Sequence, residues 1–172
     1  MKTIGLRGTC AWLPLGDVPL SFGSLGLQAG LLHAIREQRY HTPTAIQEQA
    51  IPPILQGLDV LATAQTGTGK TASFVLPLLQ RLMTSAPSKA QRRQPVRALI
   101  LVPTRELALQ VDESIRNYGS HVPISGTAIF GGVGMNPQRE ALRDGRDIIV
   151  ATPGRLLDHV ARKTADLGTV EI

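Results

Sequence analysis

Ala64-Gln65-Thr66-Gly67-Thr68-Gly69-Lys70-Thr71 is the stretch whose reading decides the fold. It matches the phosphate-loop pattern, with Ala64 where the strict form has its first glycine. Gly67 and Gly69 let backbone N–H groups curl around phosphate oxygens. Lys70 reaches the β- and γ-phosphates, and the Thr71 hydroxyl ligates Mg²⁺. A short apolar strand over residues 59–63 precedes the loop, and a helix over residues 70–83, apolar nearly all round, follows it. That helix turns its N-terminus to the same anion. The bland alternative, a flexible Gly/Thr turn with an incidental lysine, does not call for a strand before and a buried helix after.

Working outward, strand-like and helix-like segments alternate. On the N-terminal side, residues 28–38 put Leu31, Leu32 and Ile35 on one helical face, and Tyr40-His41-Thr42-Pro43 ends that helix. Residues 44–55 read as a second helix perturbed by Pro52 and Pro53, and Pro77 is expected to kink the helix after the loop. On the C-terminal side, residues 97–102 read as a fully buried type of strand. An amphipathic helix over 104–118 follows, with Leu107, Ala108, Val111, Ile115 and Tyr118 on its stripe. A strand over 124–130, a short helix over 137–143 and a strand over 147–151 come next. The last helix, 153–162, carries Leu156, Leu157 and Val160, and Val170-Glu171-Ile172 begins another strand. This alternation predicts an α/β fold of βαβ units, a parallel sheet with helices on both faces.

Two segments stand apart. Residues 1–20 read as a poorly ordered extension, because Pro14 interrupts the only apolar stretch and no secretory signal fits. Residues 85–95, rich in Pro and Ser, hold Lys89, Arg92 and Arg93 without an acid and read as a solvated connection. The 172 residues carry a formal charge of +5, with 42% hydrophobic and 18% charged content, which excludes a disordered polyelectrolyte. The single cysteine, Cys10, excludes a disulfide framework and fits a reducing compartment. No apolar run approaches the roughly 20 residues of a membrane-spanning helix. Aromatics are only 3%, fewer than a base-stacking single-strand binder usually presents. His33, His41, His121 and His159 have no metal-like spacing and read as surface or structural residues.

Hydrolysis needs an acid at the end of a neighbouring apolar strand. The strands end instead in Pro103-Thr104-Arg105, in Gly131-Gly132 and in Thr152-Pro153-Gly154-Arg155, and the strand starting at Val170 is cut short. Ligands of open parallel sheets bind beyond the carboxyl ends of the strands. Two of these loops pair a hydroxyl with an arginine at a helix start, which suits phosphate oxygens. Simple helix punctuation, with Thr104 and Thr152 as N-caps and Pro153 at the first helical position, explains each loop alone. Together they suggest a second, elongated anionic ligand.

With those motifs in hand, residues 21–172 resemble the first RecA-like domain of DEAD-box RNA helicases, most nearly the bacterial RhlE-type group. The resemblance rests on Phe22, on Tyr40-His41-Thr42-Pro43-Thr44-Ala45-Ile46-Gln47, on residues 64–72, on Pro103-Thr104-Arg105-Glu106-Leu107-Ala108, on Gly131-Gly132 and on residues 152–155. It implies a RecA-like P-loop NTPase domain, with an adenine-recognising region over residues 21–48. Phe22, Thr44 and Gln47 would serve the base, and residues 64–71 would hold ATP and Mg²⁺, with Lys70 and Thr71 nearest the chemistry. Pro103, Thr104, Arg105, Gly131, Gly132, Thr152, Pro153, Gly154 and Arg155 would line a track for the RNA backbone. Thr44-Ala45-Ile46-Gln47 is equally a capping box, in which Gln47 reaches back to the Thr44 amide; both readings of Gln47 stay open.

Ala45 departs from the family's Pro-Thr-Pro-Ile-Gln. The acidic tetrapeptide that names the family, the Ser-Ala-Thr motif and the second RecA-like domain are not in this sequence. The resemblance therefore implies a domain truncated before its later strands and unable to unwind RNA by itself. It also implies a cytoplasmic setting, no membrane, and RNA-processing or ribonucleoprotein partners. A short non-catalytic nucleotide- or RNA-binding protein, and a lobe of another superfamily 2 ATPase such as a DNA translocase, are the alternatives.

Overall fold

A computed structural model describes residues 21–85 and 96–172, together with the backbone of residues 2–5. It divides into two compact units, Met1–Arg81 and Leu82–Ile172. In the first, strand β1 (Lys2–Gly5) pairs in parallel with β2 (Val60–Thr63), so the expected loose extension contributes one strand. Four consecutive residues, from Lys2 to Gly5, lie along β2 from Val60 to Thr63. The rest of the extension, and residues 86–95 of the expected solvated connection, lie outside the described residues.

Helices α1 (Ala29–Glu37), α2 (Ala45–Leu55) and α3 (Lys70–Thr84) form where the periodicity places them. Leu31, Ala34 and Ile35 of α1, Ile46, Ala50 and Ile51 of α2, and Val75, Leu76 and Leu79 of α3 are buried. Pro77 does not interrupt α3, which runs through it. Pro52 and Pro53 likewise sit inside α2, in its last turn, and the helix runs on to Leu55. Gln80 ties α3 to the start of α1: its Oε1 accepts from Gln28 N–H at 2.9 Å, and its Nε2 donates to Gly26 O at 3.1 Å.

The second unit is a parallel sheet in the order β3-β5-β4, from β3 (Ala98–Leu101), β4 (Gly126–Ile129) and β5 (Ile148–Ala151). Helices α4 (Arg105–Tyr118), α5 (Met135–Arg143) and α6 (Pro153–Ala161) connect or follow these strands. Every residue of central β5 is buried, as expected of a strand covered on both faces. On one face Ile129, Ile149 and Ala151 pack with Leu156 of α6 and Leu142 of α5. On the other, Gly126 lies so close to α4 that a β-carbon there would stand 3.1 Å from Ile115 Cγ2.

The burial differs from expectation at three places. Leu101 is 57% exposed, so β3 is not covered throughout. Leu107 lies on the exposed edge of the α4 stripe. In α6, Leu157 and Val160 face solvent while Leu156 and His159, three residues apart, face inward. The buried face of α6 is thus rotated from the one that leucine and valine alone suggest, because a histidine occupies it.

The C-terminal residues begin to pair as expected. Ile172 N–H donates to Arg97 O at 3.2 Å and Leu99 N–H donates to Ile172 O at 2.9 Å, the bonding of a parallel pair beside β3. Arg97 anchors this edge from a 2%-exposed position. Its guanidinium donates to Leu82 O at 2.9 Å, to Ser85 O at 2.8 Å and to Glu171 Oε1 at 2.9 Å.

Candidate functional site

In the first unit, the turn between β2 and α3 is shaped by two glycines with positive φ, Gly67 (81°) and Gly69 (88°). Thr68 Oγ1 donates to Gln65 O at 2.7 Å and closes the loop on itself. Backbone N–H groups of residues 67–72 have no protein acceptor among the described residues; Ser73 N–H, bonded to Gly69 O at 3.1 Å, is the first that does. The loop therefore presents a row of undonated amides at the N-terminus of a 15-residue helix, an arrangement that favours an anion. The Lys70 ammonium lies inside the same loop, donating to Ala64 O and Gln65 O. Free amides, a cation and the Thr71 hydroxyl beside them fit a nucleotide triphosphate tail with its divalent ion.

The capping box at α2 is present, and it does more than end a helix. Thr44 N–H donates to Gln47 Oε1 at 2.9 Å, while Gln47 Nε2 donates to Gly69 O at 3.2 Å and Thr44 Oγ1 to Thr68 O at 2.8 Å. Gln47, 5% exposed, thus holds the phosphate loop from behind. Glycine is favoured at Gly69 by its φ of 88°, and a β-carbon there would displace the Gln47 amide from the loop. One N–H of the Gln47 amide is left after these bonds. Phe22 opens a short 3-10 turn and is itself buried, at 5% exposure.

In the second unit, neighbouring parallel strands bring three of the expected loops to one edge of the sheet. Ala151 lies opposite both Leu101 and Ile129, so the residues following β3, β4 and β5 emerge side by side. Thr104 caps α4 by accepting from Leu107 N–H at 3.3 Å, and Pro153 occupies the start of α6. The Arg105 guanidinium lies 5.1 Å from the centre of the Phe130 ring, within cation–π range. Arg155 reaches the same loop from α6, both terminal nitrogens donating to Val133 O at 3.1 Å. Gly131 and Gly132 are exposed between these two arginines, Gly132 with φ of 80°.

Two residues outside every motif organise this loop. Gln138 of α5, 7% exposed, donates from Nε2 to Phe130 O at 2.9 Å and accepts at Oε1 from Arg155 Nη1 at 3.3 Å. The same oxygen lies 3.3 Å from His159 Nε2, whose ring is fully buried and whose Nδ1 meets Thr164 Oγ1 at 2.8 Å. Burial holds the His159 pKa below its ordinary 6.5, with nearby Arg155 adding to the effect. Gln138 has a sequence signal: it sits four residues before half-buried Leu142, where an amphipathic helix calls for an apolar side chain.

A family model described as DEAD/DEAH box helicase matches residues 44–172. The chain belongs to the DEAD/DEAH box helicase family. Among its relatives, the ATP-dependent RNA helicase DeaD of Escherichia coli strain K12 is 44% identical over 154 residues, covering 89% of this chain and 23% of that protein. The DEAD-box ATP-dependent RNA helicase CshA of Bacillus cereus is 43% identical over 151 residues, 88% of this chain and 27% of that one. RhpA of Helicobacter pylori strain B128, named likewise, is 41% identical over 140 residues, 81% and 27%. This DEAD-box chain thus spans about a quarter of the length of the curated relatives it matches. The matches establish the family, not the RhlE-type group within it.

Proposed function

We propose that this chain is the ATP- and RNA-binding lobe of an ATP-dependent RNA helicase. The observation that carries the reading is the row of undonated amides over residues 67–72, with Lys70 in the loop and Gln47 bracing it. Thr66 to Thr71 hold the phosphates of ATP, with the Thr71 hydroxyl on Mg²⁺. Bound ATP supplies phosphoryl-transfer free energy for remodelling RNA. Gln47 secures the loop first and offers its remaining N–H to the adenine edge, while Phe22 supports the turn from within the core.

RNA lies along the strand-end loops of the second unit. Pro103, Thr104, Gly131, Gly132, Pro153 and Gly154 are exposed there and Thr152 is half-buried, so backbone amides and hydroxyls face the sugar–phosphate chain. Arg105 and Arg155 hold the Gly131-Gly132 loop between them, so their first task is to shape the track. Recognition through the backbone suits a chain with 3% aromatic residues. None of the described strands is followed directly by an acid, so the 172-residue chain binds both ligands without unwinding a duplex.

The test compares oligouridylate with oligodeoxythymidylate of equal length, with and without a non-hydrolysable ATP analogue. Preference for the RNA, strengthened by the analogue, is the expected result. Equal or tighter binding of the DNA overturns the reading in favour of a DNA translocase. Robust RNA-stimulated ATP hydrolysis abolished by Lys70→Ala overturns the inactivity of the isolated chain.

A further inference from the structure

We infer that the groove between α5 and the turn after α6 is a second phosphate site, which takes a phosphodiester of RNA running on from the strand-end loops. The inference rests on the RNA reading above. The groove is an open pocket of about 420 Å³, lined among others by Asn136, Arg139, Glu140, Arg143, Lys163 and Thr164. Arg139 and Arg143 are one helical turn apart and so share a face of α5. Lys163 comes to the pocket from the other side. None of these three cations has an ion-pair or side-chain hydrogen-bond partner among the described residues. Glu140 is the one acid among the lining residues, so the lining carries two net positive charges. Like charges gathered without partners repel one another, and a phosphate relieves that repulsion.

The far wall is built in advance. Helix α6 ends in a Schellman motif: Lys163 N–H donates to Val160 O at 2.9 Å and Thr164 N–H to His159 O at 2.9 Å. The motif places Lys163 at φ of 54°, a left-handed position where glycine is the favoured residue. At the equivalent ends of α2 and α5 the chain uses Gly57 and Gly145, while α1 ends in the same way on Arg39 with φ of 59°. A lysine at this left-handed position is locally strained, as Arg39 is at the end of α1, and it stands at the edge of the pocket. Thr164 is held by fully buried His159, its Oγ1 lying 2.8 Å from the ring Nδ1 and 3.0 Å from the His159 carbonyl oxygen. The pocket also adjoins the track in sequence, since Asn136 follows the Gly131–Gly134 loop by two residues.

The experiment measures oligouridylate affinity of the full 172-residue chain across a salt series. Wild type is compared with the combined Arg139→Ala, Arg143→Ala, Lys163→Gly variant, and with Lys163→Gly and Glu140→Gln alone. The combined variant is expected to bind several-fold more weakly, with the slope of log K against log salt shallower by about 0.7 for each phosphate lost. Lys163→Gly alone should weaken RNA while leaving the melting temperature equal or higher, which separates binding from folding. Glu140→Gln should tighten binding. An unchanged slope in the combined variant overturns the site. A wild-type chain that binds no RNA overturns the underlying RNA reading instead. Titration with inorganic phosphate, followed by NMR at the Lys163 and Thr164 amides, then decides the pocket by itself. Shifts lost in the combined variant keep a phosphate site, and their absence overturns it.

Discussion

At Gln47, one side chain serves two structures. Its oxygen completes the α2 capping box and its nitrogen holds Gly69 of the phosphate loop, so the choice between cap and ligand contact is not exclusive. Gln47→Glu keeps the shape but turns the donor facing Gly69 O into an acceptor. That change should cost about 1–3 kcal/mol in a denaturant melt, and weaken ATP-analogue binding in parallel. Gly69→Ala should act through the same contact from the other side, since its φ of 88° strains any side chain and a β-carbon would push Gln47 Nε2 off the loop. A loss of nucleotide binding with α2 still folded by hydrogen exchange is the expected signature. His159 yields a pH dependence. Its folded pKa lies below 6.5, so as pH falls through 6.5 the unfolded chain takes up the proton first and stability drops. Above about pH 7.5 both states are neutral and the contribution is flat. Denaturant midpoints at pH 5.5 and 7.5 should differ more for wild type than for His159→Gln.

Among the elements, those with strong periodicity or a glycine stop were legible from the residues alone. Helix α1, α2 and α3 and strands β2 to β5 fall where apolar spacing puts them, and the phosphate loop is where its glycines and lysine place it. What escaped is the work of polar residues in apolar positions. The inward face of α6 was read from Leu156, Leu157 and Val160, yet the core takes Leu156 and His159, because Gln138 and Thr164 satisfy the imidazole. The partnership with Gln138 joins residues 21 apart, and helical spacing does not encode it. Gln138 shows in the sequence only as a polar residue on the apolar face of α5; its partners in α6 and the loop after β4 do not show there. Gln138→Leu fills the space but leaves Phe130 O and His159 without their partner. It should destabilise by about 1–3 kcal/mol and loosen the Gly131–Val133 amides in hydrogen exchange. Unchanged protection there would show that Arg155 alone orders the loop.

Across the whole molecule, net charge says little about partners, because residues 85–95 contribute three of the net five positive charges. Placement says more. The phosphate loop occupies the first unit, and the arginine-shaped loops and the basic groove occupy the second. On the proposed function, each unit would bind one ligand, a nucleotide in the first and an RNA backbone in the second. The division predicts separable losses: Lys70→Ala removes nucleotide binding, while RNA binding measured without nucleotide persists. Calorimetric titration with a non-hydrolysable ATP analogue tests this most directly. One Mg²⁺-dependent site per chain is expected, abolished in Lys70→Ala with oligouridylate affinity retained. A wild-type chain that binds no nucleotide, or binding that survives Lys70→Ala, would contradict it.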